Sequence, residues 1–248
     1  MRSFIPRIAV LIAFSGLAAA APPRRMEKLD RGVVAVKTPE GKIHVSWRLL
    51  GDDPEAISFH LERATDDIPS VRITREPISK TTDLIDADAD LLKANVYTVR
   101  PVVNGKLLNP STPFRLTPDV ARNSYITIPL KTLAGHTPND VSVGDLDGDG
   151  RYELIVKQEM RPRDNSQRGT TGQTKLEAYS LDGKFLWRID LGRNIREGAH
   201  YTQFMVYDLD GDGKAEVVCK TSDGTIDGAG KPIGDPAADH RDDAGFVL

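Results

Sequence analysis

Two segments of the chain are copies of one another. VSVGDLDGDGRYELIVK, Val141 to Lys157, and MVYDLDGDGKAEVVCK, Met205 to Lys220, superimpose with a shift of 63 residues. A repeat of this period is a supersecondary unit that buries its apolar face by stacking on neighbours, so it constrains the fold before composition does. In each copy an alternating apolar run enters a tight acidic turn and another leaves it, which predicts a hairpin of two strands. Between the copies, LEAYSLDGKFLWRIDLG, Leu176 to Gly192, supplies two more strand-like runs around an Asp-Gly turn. Four strands per period is the content of a propeller blade, and closed propellers hold roughly four to eight blades. About two fit between Tyr125 and Leu248, so the chain reads as all-β and as the first part of a longer propeller.

The acidic turns carry their own chemistry. Asp145, Asp147, Asp149 and Glu153 stand at positions 1, 3, 5 and 9 of the first turn, and Asp208, Asp210, Asp212 and Glu216 repeat them. Carboxylates so crowded repel one another unless a hard divalent cation gathers their oxygens, and calcium, which takes only oxygen ligands, fits best. Position 7 is expected to offer a backbone carbonyl, from Arg151 and Lys214, leaving those side chains free to vary. An EF-hand or dockerin would need a bidentate acid at position 12, where Val156 and Cys219 stand, and helices where strands are predicted. A merely solvated acidic turn is the alternative, and the duplication weighs against it.

The first half differs. From Arg24 to Pro118, short alternating runs (Val33 to Val36, Ile43 to Trp47, Ile57 to Leu61, Val96 to Val103) are separated by turn residues, which suits a two-sheet sandwich of fibronectin type III kind with Trp47 and Tyr97 as core aromatics. The expected organisation is therefore a signal peptide over 1–21, a sandwich over 24–118 and a partial calcium-binding propeller over 122–248. The signal reading rests on Arg2 and Arg7, the apolar run Ile8 to Leu17 and the small residues Ala18 to Ala21. That run is shorter than the roughly 20 residues a membrane span needs, so a secreted or periplasmic location with no membrane attachment is expected. A net charge of -3 and a mean hydropathy of -0.35 exclude a strongly basic nucleic-acid binder and a multi-span membrane protein. Without Arg2 and Arg7 and the eight acids of the two turns, 31 basic residues face 28 acidic ones, a balance that permits a polyanionic partner. The single cysteine, Cys219, excludes an intrachain disulfide and reads as an inert core thiol.

Counting outward from the first turn places Asn139 and Glu159 together at the far end of its hairpin. The six steps from Asn139 to Asp145 span roughly 20 Å, so a cation in the turn is structural and does not touch a ligand at Asn139. The same count in the second copy brings His200, Tyr201, Lys220 and Asp223 to that face. The bland alternatives are that Lys157 and Lys220 are blade-edge charges and that His200 and Tyr201 plug the gap between blades.

GAHYTQFMVYDLDGDGKAEVVCKTSDGT, NDVSVGDLDGDGRYELIVK, LDGKFLWRIDLGRNIR and MEKLDRGVVAVKT together resemble the family 11 rhamnogalacturonan lyases, over Arg24 to Leu248. The resemblance implies a small β-sandwich before an eight-bladed, calcium-rich propeller that cleaves the rhamnose-galacturonate backbone of pectin by β-elimination. It implies substrate contact by Asn139, which matches the family's asparagine. The acidic partner usually follows a Lys-Trp pair, whereas here Lys157 precedes Gln158 and Glu159, one methylene longer than the expected aspartate. The remaining substrate residues of the family belong to later blades. His200, Tyr201, Lys157 and Lys220 are side chains suited to taking the proton, and none has a partner that singles it out as the base. The resemblance further implies an acidic plant polysaccharide as partner, a monomer at full length and little activity in the chain alone. The competing reading is a calcium-dependent carbohydrate-binding or adhesion module on integrin-like repeats, and GAHYTQF favours the lyase.

Overall fold

A computed structural model of the chain describes residues 27–119, 125–160, 169–198, 200 and 202–243. The expected signal segment and Tyr201 lie outside the described residues. Those residues form sixteen strands and no helix. In the first half β1 (Val34–Lys37), β2 (Ile43–Ser46) and β5 (Asp83–Asp86) make one antiparallel sheet in the order β1-β2-β5. The other is ordered β4-β3-β6-β7, from β3 (Ser58–Thr65), β4 (Ile68–Arg72), β6 (Asn95–Val103) and β7 (Lys106–Leu107), with β8 (Phe114–Leu116) also on β6.

Alternation explains which residues face inward. Ile43 and Val45 of β2, Leu61 of β3 and Tyr97 and Val99 of β6 are fully buried in one cluster, each side chain contributing about 1.5–3 kcal/mol. Trp47 stands edge-on to Phe59 with ring centroids 5.6 Å apart, and both are core residues. The Tyr97 hydroxyl donates to Asp86 Oδ2 at 2.9 Å, an oxygen that Arg63 also reaches at 2.5 Å, so the one buried carboxylate of this core is paired.

The second half contains β9 (Thr137–Gly144), β10 (Glu153–Glu159), β11 (Lys175–Ser180), β12 (Phe185–Asp190), β13 (Phe204–Tyr207), β14 (Glu216–Cys219), β15 (Thr225–Ile226) and β16 (Pro232–Ile233). Four strands per period hold for β9 to β12. Their sheet, however, has six strands, because the β15–β16 hairpin of the second period joins its outer edge through Asp190 and Ile226. An edge left open at β12 would expose unpaired backbone groups, and this hairpin covers it. The approach is close: a Cβ on Gly192, at φ +78°, would lie 2.8 Å from the Gly224 carbonyl oxygen. β13 and β14 form a separate antiparallel pair, with Cys219 half-buried at its end and its thiol pushed up by burial.

The two halves meet at the first acidic turn. Glu27 Oε1 accepts the Asp145 N–H at 2.9 Å, the Asp30 N–H donates to the Gly150 carbonyl at 2.8 Å, and the Arg48 guanidinium lies 4.1 Å above the Tyr152 ring.

Candidate functional site

Each turn closes an antiparallel hairpin, β9–β10 or β13–β14. In the first, Asp145 is fully buried; its Oδ1 accepts the N–H groups of Gly148 (2.7 Å) and Asp149 (3.1 Å), and its Oδ2 accepts Gly150 (2.8 Å). Gly148 and Gly150 sit at φ +81° and +87°, the left-handed region that lets the turn wind this tightly. Glu153 Oε2 accepts the Leu146 N–H at 2.8 Å. The second turn repeats the pattern: Asp208 accepts Gly211 at 2.7 Å and Gly213 at 3.1 Å, and Glu216 accepts Leu209 at 2.8 Å.

Three carboxylates converge in each turn. Oxygens of Asp145, Asp147 and Glu153 lie within 4.8 Å of one another, as do those of Asp208, Asp210 and Glu216. Asp149 and Asp212 are not in these clusters; each carboxylate accepts the N–H two residues on, from Arg151 and Lys214, at 2.8 Å. Asp147 and Asp210 make the same kind of bond, to the N–H groups of Asp149 and Asp212 at 3.1 and 3.0 Å, and still converge, so this bond does not by itself set the fourth acid apart. Burial foremost, then the neighbouring charges of Asp147, Asp149 and Asp145, hold the Glu153 carboxyl above its ordinary value against the Leu146 hydrogen bond. An all-oxygen donor set of three carboxylates suits a hard divalent cation.

The far end of the first hairpin brings its polar residues together by a route the count did not anticipate. The register is Val156↔Val141 and then Gln158↔Pro138 and Glu159↔Thr137, so β9 carries an extra residue, a bulge at Asn139 and Asp140. Glu159 is therefore paired on the backbone with Thr137. The bulge nevertheless turns Asn139 toward it, and Asn139 Nδ2 donates to Glu159 Oε2 at 2.9 Å. Lys157, fully buried, places its Nζ 2.9 Å from Asp140 Oδ2 and 3.0 Å from Glu159 Oε1. Burial works against that ammonium, and the two carboxylates outweigh it, holding it above its ordinary value. Lys157 is an internal counter-ion; the blade-edge reading does not hold for it.

The second repeat builds no copy of this arrangement among the described residues. Thr202 stands where the first has Asn139, and its buried hydroxyl donates to the Arg196 carbonyl at 2.8 Å and accepts the Gly198 N–H at 2.9 Å. His200 and Lys220 are exposed. Asp223 is engaged elsewhere, accepting His240 Nε2 at 2.8 Å. Glu177 was not singled out from sequence: fully buried on β11, it takes Gln158 Nε2 at 2.8 Å, the Tyr179 hydroxyl at 2.6 Å and Arg188 Nε at 2.7 Å. It anchors the opposite face of β10 beneath Lys157 and Glu159. Its position in LEAYS gave no sign of this, because its partners come from three strands.

Fold and geometry define an all-β protein whose repeated hairpins are closed by acidic turns in which three carboxylates converge, the first of them bringing polar side chains together at its far end. Residues 129–248 match the model for the C-terminal domain of rhamnogalacturonan lyase family 11, and residues 24–116 match that for the beta-sheet domain of rhamnogalacturonan I lyases. The chain is 48% identical over 236 residues to the rhamnogalacturonan exolyase YesX of Bacillus subtilis and 49% identical over 236 residues to the endolyase YesW of the same organism. These alignments cover 91% of this chain and 37% and 36% of the relatives. The solved structure of the Bacillus licheniformis rhamnogalacturonan lyase PL11 superposes with a TM-score of 0.79 at 47% identity, covering 91% of this chain and 38% of that one. The chain belongs to rhamnogalacturonan lyase family 11. It spans a little over a third of the length of the curated relatives it matches.

Proposed function

We propose that this chain forms the sandwich and opening blades of an exported enzyme that cleaves the rhamnogalacturonan backbone by β-elimination, with calcium in both acidic turns. The observation that carries the reading is the Asn139–Glu159 hydrogen bond at the β9 bulge, in a chain 47–49% identical to proteins named as rhamnogalacturonan lyases. In this reaction the proton α to the uronate carboxylate is removed, the glycosidic C–O bond β to it breaks, and an unsaturated uronate remains. Asn139 and Glu159 are suited to orient sugar hydroxyls, each having hydrogen-bonding capacity beyond their mutual contact. The Lys157 ammonium offsets charge on Asp140 and Glu159, which lessens the repulsion a polyanionic substrate would meet. Held charged, Lys157 cannot accept the proton, since a base needs a lone pair at working pH. Asp145, Asp147 and Glu153, with their counterparts Asp208, Asp210 and Glu216, would hold the calcium, whose charge would compensate the crowded carboxylates.

The test is to express the protein at the length of its relatives, incubate it with rhamnogalacturonan and calcium, and follow the ultraviolet absorbance of the unsaturated product. Asn139→Ala is expected to lower kcat/KM by about tenfold or more, the effect of roughly 1–3 kcal/mol of hydrogen bonding to substrate. The 248-residue chain alone is expected to turn over little substrate. Calcium-dependent binding without unsaturated product would instead support the binding-module reading.

A further inference from the structure

A cavity of about 360 Å³ opens at the seam between the sandwich and the first sheet, on the side of the first acidic turn away from Asn139 and Glu159. Three arginines line it: Arg48 and Arg115 from the sandwich, and Arg151 from the turn. Among the described residues none of the three forms an ion pair with a carboxylate. The two acids at the rim are already engaged. Asp30 accepts the Thr112 N–H at 3.2 Å from each oxygen, and Asp182 accepts the Ser180 hydroxyl and the Lys184 N–H within its own turn.

Arg48 is held in place before any ligand arrives. Its guanidinium lies 4.1 Å above the Tyr152 ring, its Nη1 donates to the Asp30 carbonyl at 3.1 Å, and Gly32 makes room for it, since a Cβ there would sit 2.7 Å from Arg48 Cζ. A fixed planar guanidinium that lacks a carboxylate partner is a preorganised receptor for one. Phe114, Val34 and Ile126 make much of the remaining wall apolar. Arginines from both halves beside apolar surface, one of them held in place, in a cavity large enough for one small ring, are the features of a ligand site.

We propose that this seam is a second saccharide-binding site, separate from the Asn139–Glu159 face, that takes a uronic acid residue with its carboxylate toward Arg48, Arg115 and Arg151 and its ring against the apolar wall. The choice of a uronate over other carboxylates rests on the lyase reading above, because the polymer in question carries a uronate in each repeating unit. A seam site would hold one stretch of polymer while another lies at the reacting face, adding effective concentration without new contacts at the bond cleaved.

The probe is galacturonic acid, with galactose as the uncharged control and inorganic sulfate as the bare anion, titrated into the isotope-labelled 248-residue chain while backbone amide resonances are followed. Galacturonic acid is expected to shift Gly32, Phe114 and Tyr152 saturably, with no such shift from galactose and a weaker response to sulfate. Arg115 and Arg151 are both exposed, so Arg115→Gln with Arg151→Gln leaves the fold intact and is expected to weaken the titration at least tenfold. Asn139→Ala is expected to leave it unchanged. Shifts confined to the Asn139 region, a double variant that titrates like the parent, or sulfate binding as tightly as galacturonic acid would each overturn the proposal. Its failure is separable from failure of the lyase reading: Asn139-dependent turnover with a silent seam removes only the seam site, and seam titration without turnover removes only the lyase.

Discussion

The first and second acidic turns share the sequence DLDGDG and an almost identical hydrogen-bond scheme, yet they sit in different surroundings. The first is enclosed: Asp145 is 0% and Glu153 4% exposed, Glu27 and Asp30 of the N-terminal segment bond to its backbone, and Tyr152 carries Arg48. The second is more open. Glu216 is half-buried, and among the described residues the turn is tied to the first by the Ala215 N–H, which donates to the Asp145 carbonyl at 2.7 Å, and by Ala215 and Lys214 packing near Gly144 and Gly148. One turn thus receives the sandwich on one side and the second hairpin on the other, while its copy hangs from it. The same motif serves as a keystone in one place and is less enclosed in the other, because within the described residues only the first turn receives contacts from both the N-terminal segment and the second hairpin.

The largest expected effect follows from that asymmetry. Asp145→Ala removes the buried acceptor of three backbone N–H groups and one carboxylate of the candidate cation cluster, loosening the turn on which the N-terminal segment docks, and is expected to cost about 3–5 kcal/mol. Asp208→Ala removes the acceptor of two N–H groups in a more exposed turn, for about 1–2 kcal/mol. In melting temperature this is roughly 10 °C against roughly 4 °C. Calorimetry with and without a calcium chelator checks it, and chelation should shrink the gap by removing the cation from both turns. Equal losses would mean that the first turn is no keystone.

A finer comparison isolates the docking itself. Gly150 and Gly213 occupy the same position of the two turns, at φ +87° and +96°, so alanine at either carries the left-handed penalty of about 1–2 kcal/mol. They differ in what the new methyl meets. At Gly150 a Cβ would lie 3.0 Å from the Asp30 nitrogen and the Lys28 carbonyl oxygen, whereas at Gly213 nothing lies within 4 Å. Gly150→Ala is expected to be about 1 kcal/mol worse and to speed proteolysis between the two halves, with no such change for Gly213→Ala. If the two variants cleave at the same rate, the contact with the N-terminal segment contributes nothing.

The sequence made some of this legible and hid the rest for identifiable reasons. Alternation marked β1, β2, β3 and β6 because each buries every other residue against one core. β4 was invisible to that test, since all five of its residues are exposed; β5 has no apolar alternation, its buried residue being Asp86, and β7 and β8 are too short to show a period. The duplication exposed both hairpins and the carboxylates that close them. It could not show that Asp149 and Asp212 stand outside the three-carboxylate clusters, since the repeat treats all four acids alike. The pairing of Asn139 with Glu159 was reached by a count that assumed an unbroken register, and the observed contact depends on a bulge the count did not contain. Lys157 looked like an edge charge because one carboxylate partner, Asp140, is brought in by the bulge on the neighbouring strand, and burial of the site as a whole leaves no local mark. The β15–β16 hairpin crossing to the first sheet, and the seam lined from both halves, are long-range features with no local signature.

The smallest expected effect concerns how the keystone's own neighbour is held. The segment that reaches the first turn through Asp30 is pinned one residue later, where Arg31 donates to both oxygens of Asp53 at 2.5 and 2.6 Å; Asp53 also accepts the Leu50 N–H at 2.7 Å. Burial alone would raise the Asp53 carboxyl, but the Arg31 and Leu50 hydrogen bonds outweigh it and hold it below 3.8. The folded state therefore binds fewer protons than the unfolded state in the window below 3.8, so the stability Asp53 confers is present above that window and is lost as pH falls through it. Asp53→Asn lacks that contribution at every pH. Near neutral pH the parent is expected to exceed the variant by about 1 kcal/mol in chemical denaturation, and the gap should close as the pH drops below 3.8. Subtracting the variant cancels the other carboxylates, those of both turns included, which titrate in parent and variant alike. A gap that persists in acid would show that Asp53 acts through packing and not through its charge, leaving the first turn anchored by Glu27, Asp30 and Arg48 without help from this ion pair.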